Sequence, residues 1–121
     1  MPVKKVLVVD DSATERAYLA DILSQAGYQV VTAENGEDGV SKAKTEKPDL
    51  VMMDVVMPGM NGFQACRAIT SGPETKHIPV FLCTTKNQET DKIWGARQGA
   101  KEYLVKPADK NELLTKIKAL A

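Results

Sequence analysis

The chain is short of the residues that build soft-metal or redox centres. It has two cysteines, Cys66 and Cys83, and a single histidine, His77. The cysteines have neither C-x-x-C spacing nor a histidine nearby, which speaks against structural zinc and a disulfide framework and leaves them as small core hydrophobes. His77, alone before an apolar run, reads as a loop residue. Net charge is also lacking: 16 Lys and Arg balance 16 Asp and Glu, so no global positive field draws the chain to nucleic acid or to an anionic membrane. No apolar run approaches the roughly 20 residues that span a bilayer, and the N-terminus enters a strand-like run without a signal-peptide core. The expectation is a cytoplasmic protein with no membrane insertion.

What the sequence does have is material for a core. With 43% hydrophobic residues in 121, it suits a single domain that buries about two thirds of its unfolded surface. Apolar runs of strand length alternate with helical patterns along the whole chain. Such alternation favours parallel βαβ units over an antiparallel meander and reads here as (βα) repeated five times. The first strand covers about Lys4 to Asp10. Ser12-Ala13-Thr14-Glu15 then gives a capping box, opening a helix whose Leu19, Ile22, Leu23 and Ala26 share a face and which Gly27 stops. A second strand, about Gln29 to Thr32, leads to Asn35-Gly36, where Glu34 and Asn35 shape the start of a helix that ends before Lys47-Pro48.

Leu50 to Met53 is apolar without alternation, which predicts a central strand covered on both faces. A third helix from about Gly62 to Thr70 carries Phe63, Cys66 and Ile69 and is broken at Ser71-Gly72-Pro73. Ile78 to Cys83 gives the fourth strand and Tyr103 to Val105 the fifth. Between them, Glu89 to Gln98 predicts a short helix, because Gly95 interrupts it and Ile93 and Trp94 are its only large apolar residues. The last helix has capping-box character at Asp109-Lys110-Asn111-Glu112 and a stripe of Leu113, Leu114, Ile117 and Leu120.

Four short polar stretches fall where these strands end: Asp10-Asp11, Asp54, Thr84 and Lys106-Pro107. In open α/β sheets the carboxyl edge is where ligands bind. A lone aspartate pair reads as a solvated turn with a helix N-cap, and a lone Thr or Lys-Pro carries little. Their joint placement carries the weight. Like charges a few ångströms apart raise one another's pKa, and a hard cation relieves this: Mg2+ prefers oxygen ligands with few protein carboxylates, which suits Asp10, Asp11 and Asp54 with one backbone carbonyl. Asp54 follows the most buried-looking strand and stands as a nucleophile able to form an aspartyl-phosphate. Lys106 supplies positive charge and Thr84 a hydroxyl for the phosphoryl oxygens.

These residues resemble the receiver domain of two-component response regulators, and the resemblance spans essentially the whole chain. It rests on Val8-Val9-Asp10-Asp11-Ser12, on Asp54 through Gly62, on Pro79 through Thr85 and on Gly99 through Pro107. It implies a single flavodoxin-like domain over residues 1–121 with no output domain, and a doubly wound sheet of order 2-1-3-4-5. The site it implies is phosphorylated at Asp54, binds Mg2+ through Asp10, Asp11, Asp54 and the Val56 carbonyl, and has a cis Lys106-Pro107 bond. In such receivers the residue at Thr84 is drawn toward the phosphoryl group and an aromatic at Tyr103 turns inward. The chain departs from the family at Ala108, where many relatives place an aromatic. Thr84 through Gly95, continued by Arg97 through Ala100, is similar to the stand-alone receivers of type IV pilus twitching motility.

The resemblance implies a sensor histidine kinase as phosphodonor, a downstream protein partner, and a monomer or weak dimer. Partner binding would be controlled through the face made by the fourth helix, last strand and last helix, with Trp94 as a candidate anchor. The chain is not expected to be a turnover enzyme: dephosphorylating enzymes of the haloacid dehalogenase type carry a D-x-D motif, and Val56 occupies the second acidic position. An FMN binder is disfavoured because Asp10-Asp11 would repel the flavin phosphate. A phosphate sink for a shared kinase and a phosphorylation-independent scaffold are the alternatives. Met57 and Met60 are expected to edge the site.

Overall fold

Four short polar side chains turn the chain from strand ends or loops into helices. Ser12, Asn35, Asn61 and Asp109 each accept the backbone N–H three residues on, at 3.3, 2.8, 2.9 and 2.8 Å, and so satisfy one of the free N–H groups of a first turn. In the computed structural model, which describes residues 2–120, these caps belong to a regular alternation of five strands and five helices. The elements are β1 (Lys5–Val9), α1 (Ala13–Gln25), β2 (Gln29–Ala33), α2 (Gly36–Thr45), β3 (Leu50–Met53), α3 (Gly62–Ser71), β4 (Val80–Thr84), α4 (Glu89–Arg97), β5 (Glu102–Val105) and α5 (Lys110–Lys118). The strands form one parallel sheet in the order β2-β1-β3-β4-β5. This is the doubly wound flavodoxin-like fold.

Strand alternation splits the core into two layers. Leu7, Val9, Val51, Met53, Val80 and Leu82 face one side and meet Ala43 of α2 and Ala65, Cys66 and Ile69 of α3. Their neighbours Val6, Val8, Leu50, Met52, Phe81 and Cys83 face the other and meet Leu19, Ile22 and Leu23 of α1 and Leu113 and Ile117 of α5. Because both faces are covered, the central strand β3 is apolar and buried at every position, as the run Leu50 to Met53 predicted. Both cysteines lie in this core, where burial pushes each thiol up to about 12.

Three local expectations are corrected. β4 begins at Val80 rather than Ile78, because the Ile78 N–H is engaged in a turn with the Thr75 carbonyl at 2.9 Å and Pro79 has no N–H to pair. α4 is short as predicted, but Gly95 seats it and does not interrupt it: it is the buried residue of that helix, and a Cβ there would come within 2.9 Å of Leu82 Cδ1 and 3.0 Å of Tyr103 Cδ2. Ile93 and Trp94 point outward and are 53% and 50% exposed. Finally, the box at Ser12 is half made: the Ser12 N–H donates to Asp10 Oδ1 at 2.9 Å, so the Glu15 carboxylate is free to turn elsewhere.

Gly62 opens α3 directly against the chain that follows β3. Its N–H donates to the Val55 carbonyl at 2.8 Å, and a Cβ would collide with the Asp54 carbonyl oxygen and press on the Val55 backbone. Backbone cannot yield as a flexible side chain does. Gly62→Ala is expected to lose about 2 kcal/mol, toward the upper range for an overpacked site, read as a lowered urea midpoint with an unchanged slope.

Candidate functional site

All four polar stretches singled out in the sequence lie at the carboxyl edge of the sheet. Asp10 follows β1, Asp54 follows β3, Thr84 ends β4 and Lys106 follows β5. Parallel pairing brings them together: β1 and β3 are in register through Val9 and Met53, and β4 and β5 through Thr84 and Val105. The Asp54 N–H donates to the Val9 carbonyl at 2.9 Å and the Lys106 N–H to the Thr84 carbonyl at 2.8 Å, so sheet hydrogen bonding continues to the site itself. The Lys106-Pro107 bond is cis.

The centre of the site is one ammonium among carboxylates. Lys106 Nζ lies 2.6 Å from Asp10 Oδ2, 3.5 Å from Asp54 Oδ2 and 3.8 Å from Glu15 Oε2. Asp10 and Asp54 are buried, Asp11 is exposed, and ligand oxygens of the three lie within 4.8 Å of one another. Three carboxylates and one ammonium leave a local excess of negative charge, with hard oxygen donors on two adjacent loops. That donor set fits a small divalent cation such as Mg2+. Val56, two residues beyond Asp54, is exposed at the same edge.

Charge and burial act in opposite directions here. Burial raises the pKa of Asp54; the Lys106 ammonium lowers it, Asp10 raises it further, and the Thr84 hydroxyl and the Val55 N–H lower it, with a net rise. The Val55 N–H donates to Asp54 Oδ1 at 2.8 Å, leaving Oδ2 on the Lys106 side. For Lys106, burial works to lower the pKa, but the Asp10 hydrogen bond and the charges of Asp54, Asp10 and Glu15 outweigh it and hold the ammonium above its ordinary value. A nearly buried lysine thus keeps its charge.

Thr84 is fully buried, and its hydroxyl accepts the Lys86 N–H at 3.4 Å. Tyr103 on β5 is tied to the same loop: its hydroxyl donates to the Lys86 carbonyl at 2.8 Å while its ring packs beside Gly95 and against the core. Burial, then Asp91 and Asp54, push the phenol up to about 12, so it remains a donor. Ala108 is buried against the α1 and α5 layer, and Tyr18 of α1 reaches across to donate to its carbonyl at 3.1 Å.

Comparison with known proteins places this arrangement in a family. The model of the response regulator receiver domain matches residues 6–118. The chain belongs to the response regulator receiver domain family. PilH of Pseudomonas aeruginosa is 57% identical over 96% of this chain and 96% of its own length. Among solved structures, the chemotaxis protein CheY4 of Vibrio cholerae superposes with a TM-score of 0.90 at 34% identity, covering 98% of this chain and 99% of that one. The CheY of a CheX-CheY-BeF3-Mg2+ complex from Borrelia burgdorferi gives 0.90 at 29% identity, covering 97% and 88%. Receiver domains are signalling proteins that interact with histidine kinases and bind Mg2+ at an acidic pocket.

Other singled-out residues lie elsewhere. Trp94 lines a shallow groove between α3 and α4 with Phe63 and Arg67, away from the acidic cluster. His77 lies at the opposite edge of the sheet, in a cleft of about 630 Å3 rimmed by Lys47, Lys76 and Lys101. Met57 turns into the core and Met60 rests against Gly36, so neither forms part of the acidic cluster. Glu34 pairs with Arg16 at 3.6 Å, and Arg16 in turn donates to the Asp10 carbonyl at 2.7 Å. Arg16 and Glu15 were missed as neighbours of the site because at the sequence level they look like ordinary first-turn helix residues. Among the described residues, no helix is long and apolar enough to cross a membrane.

A raised Asp54 pKa fixes a sign. When the folded-state value exceeds the unfolded one, the ionised carboxylate destabilises the fold; the penalty is absent below the ordinary carboxylate range and complete above the folded pKa. Asp54→Asn is therefore expected to be more stable than the wild type near pH 7. The gain should vanish as pH falls below about 4, as measured by thermal midpoints across pH without added metal.

Proposed function

We propose that this chain is a response regulator that accepts a phosphoryl group on Asp54 from the phosphohistidine of a sensor histidine kinase. The observation that carries this reading is a buried carboxylate oxygen, Asp54 Oδ2, 3.5 Å from the Lys106 ammonium and beside two further carboxylates. Asp54 Oδ2 attacks phosphorus in line; the P–N bond to the kinase imidazole breaks and its electron pair stays with the imidazole nitrogen. Water later attacks the acyl phosphate, regenerating the carboxylate and releasing phosphate. Asp10, Asp11, Asp54 and the Val56 carbonyl would hold Mg2+, which when bound supplies positive charge to the phosphoryl oxygens. Lys106 neutralises a further oxygen and Thr84 donates its hydroxyl to another. Positioning and charge are most of what such a transfer asks of a protein. The chain acts on its own aspartate and is not a turnover enzyme.

The signal would leave through the loop after β4. Thr84 and Tyr103 both bond to Lys86, one to its N–H and the other to its carbonyl. A Thr84 hydroxyl drawn toward the phosphoryl group pulls on the loop that Tyr103 grips and on the start of α4. Changing the balance of two conformations from about 1:99 to 99:1 takes about 5.5 kcal/mol of differential interaction, and the α4-β5-α5 face would present the result to a protein partner. The likeness to PilH supports a role in pilus-based motility signalling.

Intact mass after incubation with acetyl phosphate tests the chemistry. One phosphoryl adduct is expected with Mg2+, none when the metal is chelated, and none on Asp54→Asn. Absence of any adduct on folded wild type, together with no response to beryllofluoride, would overturn the reading.

A further inference from the structure

Glu15 offers Lys106 a carboxylate from outside the four strand ends. It stands in the first turn of α1, where a glutamate three residues after a serine cap ordinarily folds back onto the cap N–H. Here Asp10 Oδ1 already accepts that N–H at 2.9 Å. Released from capping, the Glu15 carboxylate leans over the site, with Oε2 3.8 Å from Lys106 Nζ. Lys106 therefore has carboxylates from two directions: Asp10 and Asp54 beneath, and Glu15 at the mouth. Glu15 is the most exposed of the three, with 37% of its side chain open to solvent.

We infer that Glu15 is a positioning residue that competes with the phosphoryl group for Lys106. The inference rests on the phosphoacceptor reading above. A phosphoryl group on Asp54 needs the ammonium as a partner, while Asp10, engaged with Mg2+, has less to offer it. Glu15 then becomes the remaining carboxylate that draws Lys106 outward, and its own charge also repels the phosphoryl oxygens. The same charge favours a cation at Asp10, Asp11 and Asp54. One residue thus pulls the two ligands of the site in opposite directions: it strengthens the binding of Mg2+ and weakens that of the phosphoryl group.

The opposite signs make the inference testable apart from folding. Mg2+ affinity is measured by calorimetry, and beryllofluoride affinity is measured separately at saturating Mg2+, for wild type, Glu15→Gln and Glu15→Asp. Glu15→Gln is expected to bind Mg2+ about threefold more weakly and beryllofluoride about threefold more tightly at low salt, the scale of one partly exposed charge. Both changes should shrink at high ionic strength, and Glu15→Asp should restore part of each. If both affinities fall together, Glu15 only supports the fold of α1 and the inference is overturned. It is equally overturned if neither affinity changes. A wild type that binds neither Mg2+ nor beryllofluoride would instead sink the phosphoacceptor reading itself.

Discussion

The Lys106 ammonium is the charge around which the acidic edge of this protein is arranged. Without it, Asp10 and Asp54 would be two buried carboxylates with no cation, and burial already drives the Asp54 pKa upward. Removing one partner of a buried pair leaves an uncompensated charge, which costs more than the intact pair is worth. Lys106 reaches this position because β5 is the last strand of the sheet and its register carries the chain past Thr84 before the cis Lys106-Pro107 bond. The requirement to present that ammonium therefore constrains the end of β5, the β4-β5 pairing and the packing of Tyr103 beside them.

The rest of the fold is divided between support and response. The support is the pair of apolar layers on the sheet, which hold the ends of β1 and β3 so that Asp10 and Asp54 are placed by backbone hydrogen bonding. The proposed response would be concentrated at α4, whose one buried residue is Gly95. α4 meets the sheet through Gly95, not through a row of large side chains, and its Ile93 and Trp94 face outward. A helix seated on a glycine against Leu82 and Tyr103 has a close but narrow contact. The Lys86 backbone links that helix to Thr84 and Tyr103, so the carboxylate site and α4 share one loop.

Much of this was legible in the residues. The unbroken run Leu50 to Met53 gave a central strand, the alternation of runs gave the parallel architecture, and the strand ends gave Asp10, Asp11, Asp54, Thr84 and Lys106. Sheet order came through the family likeness, because strand patterns fix direction and burial but not which strands are neighbours. What escaped the sequence were interactions that depend on a competitor for a hydrogen bond. Ser12 through Glu15 matches a capping box, and nothing local reveals that Asp10 takes the N–H first. Gly95 likewise reads as a weak helix position until the ring of Tyr103 and the side chain of Leu82 are placed beneath it. The start of β4 was misjudged because Ile78 is apolar for burial, not for pairing.

The lysine-rimmed cleft at the opposite edge completes an electrical picture that the zero net charge conceals. Acidic side chains gather where the helices begin, and Lys47, Lys76 and Lys101 gather near where helices end, each group opposing the partial charge of the helix termini it faces. At both edges, then, these side chains work against the local helix-end charges. A neutral molecule of this kind is not drawn bodily to a charged surface. Opposite charges gathered at its two edges can still orient such a molecule as it approaches one.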